Sequence, residues 1–298
     1  MEEILQKLLV DLISLLTILN MPIKGLCKMP TELWRSLNYK TQYKYFINTF
    51  IREYDLSKAN INALLYTKRI SVEDHKTYLA MDRNERETKI GLWIKKDKSV
   101  YKDIQKGIIE AKRRLVFANN IEDSEVVSVK NDAMFIAGRN LASTIFPPFE
   151  FKVKNVYTVY LQAADLEIYY GDIVDPVSGI VNTNIDVKGI GDDMLILHQD
   201  GMLDLICNLC YKLQREDIKD TMKWMANMYE AFITRSLPKQ YYRNFDSFSG
   251  YTINTFYRAA SLGEIDDSMI KVIDINRNLL ILRDLMSIVS DLYRRSVH

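Results

Sequence analysis

The sequence predicts an α+β protein: a small antiparallel sheet flanked by helices, followed by a mainly helical C-terminal part. Three observations carry this. Helical spacing dominates up to about residue 118, as in Ile104, Ile108, Ala111, Leu115 and Val116. Short apolar runs then alternate with turn residues from Val126 to Val187. From about Met194 the pattern is helical again, and the separation of strands from helices argues against alternating βαβ units.

Composition sets the bounds. The chain has 298 residues, of which 48% are hydrophobic, enough for a sizeable core and too many for wholesale disorder. Only 11 Gly and 6 Pro occur, which favours long elements over flexible linkers. The net charge of +1 gives no global field to recruit nucleic acid, so any basic surface is local. Three organisational segments are expected: an N-terminal helical segment (1–44), an α+β core (45–192) and a helical C-terminal region (193–298).

The first 22 residues are apolar, but Glu2 and Glu3 stand where a signal peptide needs positive charge, and Lys7 and Asp11 interrupt the run. Leu5, Leu8, Leu9, Ile13 and Leu16 instead make a wide apolar face for burial or for a protein partner, ended by Pro22. No membrane span is expected. Cys207 and Cys210 lie in an apolar helical stretch without a second pair or a nearby His, so two core thiols are expected rather than zinc. Sparse cysteine suits a reducing cytoplasm.

In chain order, Thr31 opens an expected helix, and an apolar strand from Phe46 ends at Tyr54-Asp55. A turn and short helix cover Ser57 to Tyr66. Ser71-Val72-Glu73-Asp74 is a helix start, and the next helix spans Arg83 to Lys96. A long helix follows from Val100 to Ala118. Val126 to Val129 and Ala133 to Ile136 form a hairpin with Asp132 at its tip. Strands are expected at 150–154, 156–161, 166–170 and 183–187, and a last helix over 279–293.

Two acids stand out. Asp55 ends a hydrophobic strand and Asp132 tips a hairpin. Taken singly, they read as a helix cap and a turn residue. Taken together, they are the carboxylate pair that a two-metal phosphoryl-transfer site requires from separate elements. Two Mg²⁺ (or Mn²⁺) ions are the expected cofactors, since magnesium keeps waters and accepts substrate phosphate as ligand. Between the acids, Arg83, Arg86 and Lys89 recur at three-residue steps on one helical face suited to a triphosphate, or to solvent with Glu85 and Glu87. Downstream, Phe151-Lys152-Val153-Lys154-Asn155-Val156-Tyr157 alternates apolar and basic residues, putting Lys152 and Lys154 on one strand face with Tyr157 on a neighbouring aromatic surface, a strip suited to a nucleic-acid backbone and a sugar or base, or to an amphipathic strand exposed on one side.

This order of parts resembles the palm of template-dependent nucleic-acid polymerases, and in detail the family B DNA polymerases common in phages. Asp55-Leu56-Ser57-Lys58-Ala59-Asn60 looks like motif A, Arg83 to Leu92 is similar to the basic motif B helix, and Lys130-Asn131-Asp132-Ala133 stands where motif C has its metal-binding hairpin. Lys154-Asn155-Val156-Tyr157 resembles the later Lys/Tyr motif, and Val187-Lys188-Gly189-Ile190 the approach to the thumb. The resemblance implies a palm with very short fingers, a thumb-like C-terminal region, and a phage nucleotidyltransferase acting on primer-template and nucleoside triphosphates in the host cytoplasm. Asp55 and Asp132 would hold the metals, Arg83, Arg86 and Lys89 the triphosphate, and Lys152, Lys154 and Tyr157 the nucleic acid. The sugar-selecting positions of motif A, usually Ser and Tyr, are Lys58 and Asn60, which leaves DNA or RNA open. Motif C has one aspartate where family B has two. Two alternatives stand beside this. One is a non-catalytic phage interaction, structural or replication accessory protein, in which Arg235, Lys239 and Arg243 among Tyr241, Tyr242 and Phe245 face a partner or single-stranded nucleic acid, or simply pin a loop by aromatic packing. The other is one piece of a split polymerase.

Overall fold

The computed structural model describes residues 30–174, 181–189, 201–242 and 272–297. It is α+β, with a curled antiparallel sheet and a long C-terminal helix. The N-terminal helix, Cys27, Ile190, Arg243 and Phe245 fall outside the described residues.

Eight strands are described: β1 (Asn38–Lys40), β2 (Tyr45–Leu56), β3 (Val126–Lys130), β4 (Ala133–Ala137), β5 (Ile145–Phe146), β6 (Phe149–Ala163), β7 (Leu166–Val174) and β8 (Val181–Lys188). The helices are α1 (Ala59–Tyr66), α2 (Val72–Ala80), α3 (Arg83–Lys96), α4 (Lys98–Asn119), α5 (Gly201–Arg215), α6 (Ile218–Ile233) and α7 (Val272–Val297). The strand order is β1-β3-β4-β2-β6-β7-β8, with β5 added to β6. Helices α1 to α4 lie between β2 and β3 in the chain, so the β3–β4 hairpin returns beside the strand that preceded them.

Packing explains that return. Tyr54 and Leu56 of β2 join Ile61 and Leu64 of α1, Ile104, Ala111 and Leu115 of α4, and Met134 and Ile136 of β4 in one buried core. A Cβ on Gly107 of α4 would lie 2.5 Å from the Ala63 Cβ of α1, so the two helices meet at backbone contact. A second core joins Val159, Leu161, Ile168 and Tyr170 of the sheet to α5, α6 and α7. A third is largely aromatic, with Phe135, Tyr157, Tyr160 and Tyr169 filling the sheet's other surface. No helix among the described residues is long and apolar enough to cross a membrane.

Local signals act as chemistry dictates. Ser71 and Asp74 close a reciprocal capping box on α2, and the Asp82 carboxylate accepts from the Asn84 and Glu85 amides to start α3. Cys207 and Cys210 are free thiols, and burial pushes Cys207 up to about 11. The helix expected after Thr31 is only a 3₁₀ turn, Leu33–Arg35, because the chain is drawn at once into β1 and its pairing with β3. The two strands expected at 150–154 and 156–161 are one long strand. Glu53 pairs with Asn155 and Tyr54 with Val153, so Lys154 is the extra residue of a bulge.

Candidate functional site

Strand alternation sets the first component. Tyr54 and Leu56 point into the helix-side core, so Glu53 and Asp55 point the other way. Asp55 pairs with Ala133 across β2 and β4, and the Leu56 amide donates to the Asp132 carbonyl at 3.1 Å. At the hairpin turn Asn131 adopts a left-handed φ of 47° and its amide donates to the Leu37 carbonyl at 2.6 Å. The turn is thus tied on both sides, and Asp132 is held beside the end of β2.

The two carboxylates border one cleft of about 650 Å³. Ser57, Lys58, Asn60 and Asn62 from the turn into α1, His75 from α2, and Arg83, Arg86 and Glu87 from α3 form its other walls, with Glu150 and Lys152 of β6 at the rim. Burial, and then the charge of Asp132, hold the Asp55 carboxyl above the usual carboxylate range, with Lys154 and Arg83 opposing. Burial likewise raises Asp132, while its own backbone amide, Lys154 and Lys112 oppose. Two partly buried acids therefore resist ionising side by side. An oxygen-seeking divalent cation would relieve that repulsion, and the donor chemistry suits Mg²⁺ or Mn²⁺. Among the described residues no group of three or more His, Cys, Asp or Glu side chains is arranged to hold a metal, so an ion here would take water and phosphate oxygens as well.

Of the basic helix, Arg83 and Arg86 border the cleft. Arg86 is largely buried and its Nε lies 3.3 Å from Glu87 Oε1. Lys89 does not join them. It turns to Glu85, 2.7 Å away and one helical turn back, outside the cleft lining. The three-residue step drifts round the helix, and the local carboxylate captures the exposed lysine.

Lys58 sits in the left-handed region at the cap of α1, with φ 53°. Asn60 donates from Nδ2 to Glu87 Oε2 at 2.7 Å, joining the start of α1 to α3 across the cleft. Lys152 is exposed at the rim, 3.5 Å from Glu150. Lys154 is exposed but bulged, and approaches Glu53 at 3.6 Å. Tyr157 is the correction. It is fully buried, with its hydroxyl 3.5 Å from Glu53 and 3.4 Å from Asp186, and its ring packs on Phe135 and Tyr169. Past the bulge Tyr157 pairs with Ile51 and lies on the same sheet face as Lys152, but there it is enclosed in the aromatic core and offers no ring to a nucleic acid. Tyr241 and Tyr242 also serve packing: Tyr241 covers Gly201, and Tyr242 lies on Phe232.

Three neighbours escaped the sequence reading. Glu53 is buried on the same strand face as Asp55, accepting from Asn155 at 2.6 Å; its signal was the two-residue step to Asp55. His75 contacts Asn62 Oδ1 at 2.8 Å, and Asn62 donates to the Ser57 carbonyl at 2.9 Å, bracing the turn after Asp55. Lys112 is fully buried under the hairpin and donates to the Ser36 carbonyl. Neither of these two had a sequence signal beyond its helix position.

Fold and cleft define a class: an α+β protein whose sheet presents paired aspartates to a cleft walled by arginines. The chain belongs to the bacteriophage PBS1 gene 130 protein family, whose model matches residues 29–291, and it is a phage protein. Comparison with curated proteins finds no match.

Proposed function

We propose that this phage protein is a polymerase-type nucleotidyltransferase with a palm-like core. The observation that carries the reading is the convergence of Asp55, from the end of β2, and Asp132, from the β3–β4 turn, on one cleft walled by Arg83 and Arg86. The adjacency of hairpin, Asp55 strand and Lys152–Lys154 strand adds support, since it supplies metal ligands and a basic rim on neighbouring rigid strands. Asp55 and Asp132 would hold two divalent ions, Mg²⁺ or Mn²⁺, which would supply activation of a 3′-hydroxyl and neutralisation of the triphosphate. Arg83 and Arg86 grip phosphate oxygens through forked donors. Lys58 and Asn60, on the cleft wall with Asn60 fixed by Glu87, are assigned to contact with the incoming sugar. Lys152 and Lys154 meet the backbone of the primer-template.

Primer extension with Mg²⁺ or Mn²⁺ and mixed nucleotides tests this. Wild type is expected to incorporate and Asp132→Ala to lose at least about a hundredfold, the scale of removing a main source of transition-state charge stabilisation. Equal incorporation by the two proteins refutes the assignment.

A second reading, a non-catalytic phage accessory protein built on a degenerate palm, is favoured by one observation: no third carboxylate completes the pair among the described residues. Under it, wild type binds nucleotide in the cleft but extends no primer with either metal.

A further inference from the structure

The charge of this chain is nearly balanced overall, yet one exposed ridge is not. Lys95 and Lys96 end α3, and Lys98, Lys102 and Lys106 follow on α4, all exposed. The acids among them are engaged elsewhere. Asp97 caps α4 through Ser99 and pairs with Arg69, and Asp103 also faces Arg69, at 3.8 Å. Glu110, one turn beyond, is held by Arg113 at 2.7 Å and Arg114 at 3.1 Å. Among the described residues none of the five lysines has a carboxylate partner.

Helical geometry makes the array regular. Lys98, Lys102 and Lys106 are four residues apart, so successive ammonium stems leave the helix about 6 Å apart along its axis. Ile104, Ile108 and Ala111 are buried, which turns the lysine side outward. Within it Tyr101 is 48% exposed and Leu92, on α3, 52% exposed. Like charges at this spacing repel by only a few tenths of a kcal/mol, and a polyanion turns that repulsion into attraction. The ring also offers a platform on which an unpaired base stacks.

We propose that the α3–α4 ridge, centred on Lys98, Tyr101, Lys102 and Lys106, is a binding surface for single-stranded nucleic acid. The lysines meet successive phosphates and Tyr101 takes a base. The inference rests on the polymerase-type reading only for the class of partner; it requires no catalysis in the cleft.

Fluorescence anisotropy of the full chain with labelled dT and rU oligomers of about 12 nucleotides, within the usual span of single-strand sites, is the test. The proteins are wild type, Lys98→Gln/Lys102→Gln/Lys106→Gln and Tyr101→Ala. The slope of log K against log salt is expected to fall by about 2 in the triple variant, from about 0.7 per phosphate contact. Between 50 and 200 mM salt the triple variant then loses about 20-fold less affinity than wild type. Tyr101→Ala is expected to weaken binding at least about fivefold without changing the slope. Equal slopes for wild type and triple variant overturn the ridge and move the site elsewhere, the cleft included. Preference for phosphatidylserine vesicles or polyglutamate over the oligomers overturns it as well. Absent primer extension with ridge binding intact counts against the catalytic reading alone.

Discussion

Lys112 offers the sharpest quantitative test of the electrostatics beneath the hairpin. Its side chain is 0% exposed, its ammonium donates to the Ser36 carbonyl, and desolvation lowers its pKa from 10.5 to about 8, with Asp132 opposing. The sign follows from proton counting. Between about 8 and 10.5 the unfolded chain binds the proton and the folded chain has released it, so folding stability rises with pH across that window. Between pH 7.5 and 9.5 the linkage integrates to about 2 kcal/mol of added stability. With a urea m-value of about 3 kcal/mol/M, the wild-type midpoint moves up by about 0.7 M. Lys112→Met has the length to fill the site and no charge to titrate. Its own pH shift is therefore expected to be smaller than that of wild type by this amount, every other group being common to both. Urea unfolding of the two proteins at both pH values is the measurement. Equal midpoint shifts would show that Lys112 is not desolvated as its burial requires.

Burial and like charge raise Asp55 and Asp132, so the folded state holds their protons more tightly and stability falls as pH rises through those raised values. Asp132→Asn is accordingly expected to melt higher than wild type at pH 7 while losing incorporation; a lower melting temperature would deny the repulsion. Tyr157→Phe is expected to cost no more than about 1 kcal/mol, since its hydroxyl contacts are long, and to leave primer affinity unchanged; a primer-binding defect would return Tyr157 to the surface. Gly107→Val is expected to destabilise by about 3 kcal/mol in urea melts by overpacking α4 against α1. Ala63→Gly should recover part of it, removing a Cβ at 2.5 Å but leaving the Cα at 2.6 Å, and no recovery would place the clash elsewhere.

Helices were legible where cap and period agree. The Ser71–Asp74 box fixes the start of α2 and the apolar spacing of α4 fixes its buried side. Strand β1 was not, because three residues of an edge strand carry no alternation and owe their conformation to β3. The bulge at Lys154 was not either, because an extra residue in one strand is defined only by its partner's register. Lys112 reads as a surface lysine in sequence and lies in the core because the turn after Ser36 brings a carbonyl to it.

The site divides along the same line. That Asp55 ends a strand and Asp132 tips a hairpin is local information, and the sequence carries it. That they share a cleft depends on β4 pairing with β2 rather than with another strand, a choice made by the core under them: Tyr54 and Leu56 from one strand, Met134 and Ile136 from the other, closing on α1 and α4. A one-residue slip of β4 in that pairing would carry Ala133, and Asp132 with it, out of register with Asp55 and turn Met134 and Ile136 away from the helix-side core. Tyr54 and Leu56 thus hold the register of the acid between them. Their truncation is expected to separate the carboxylates as well as to destabilise the fold.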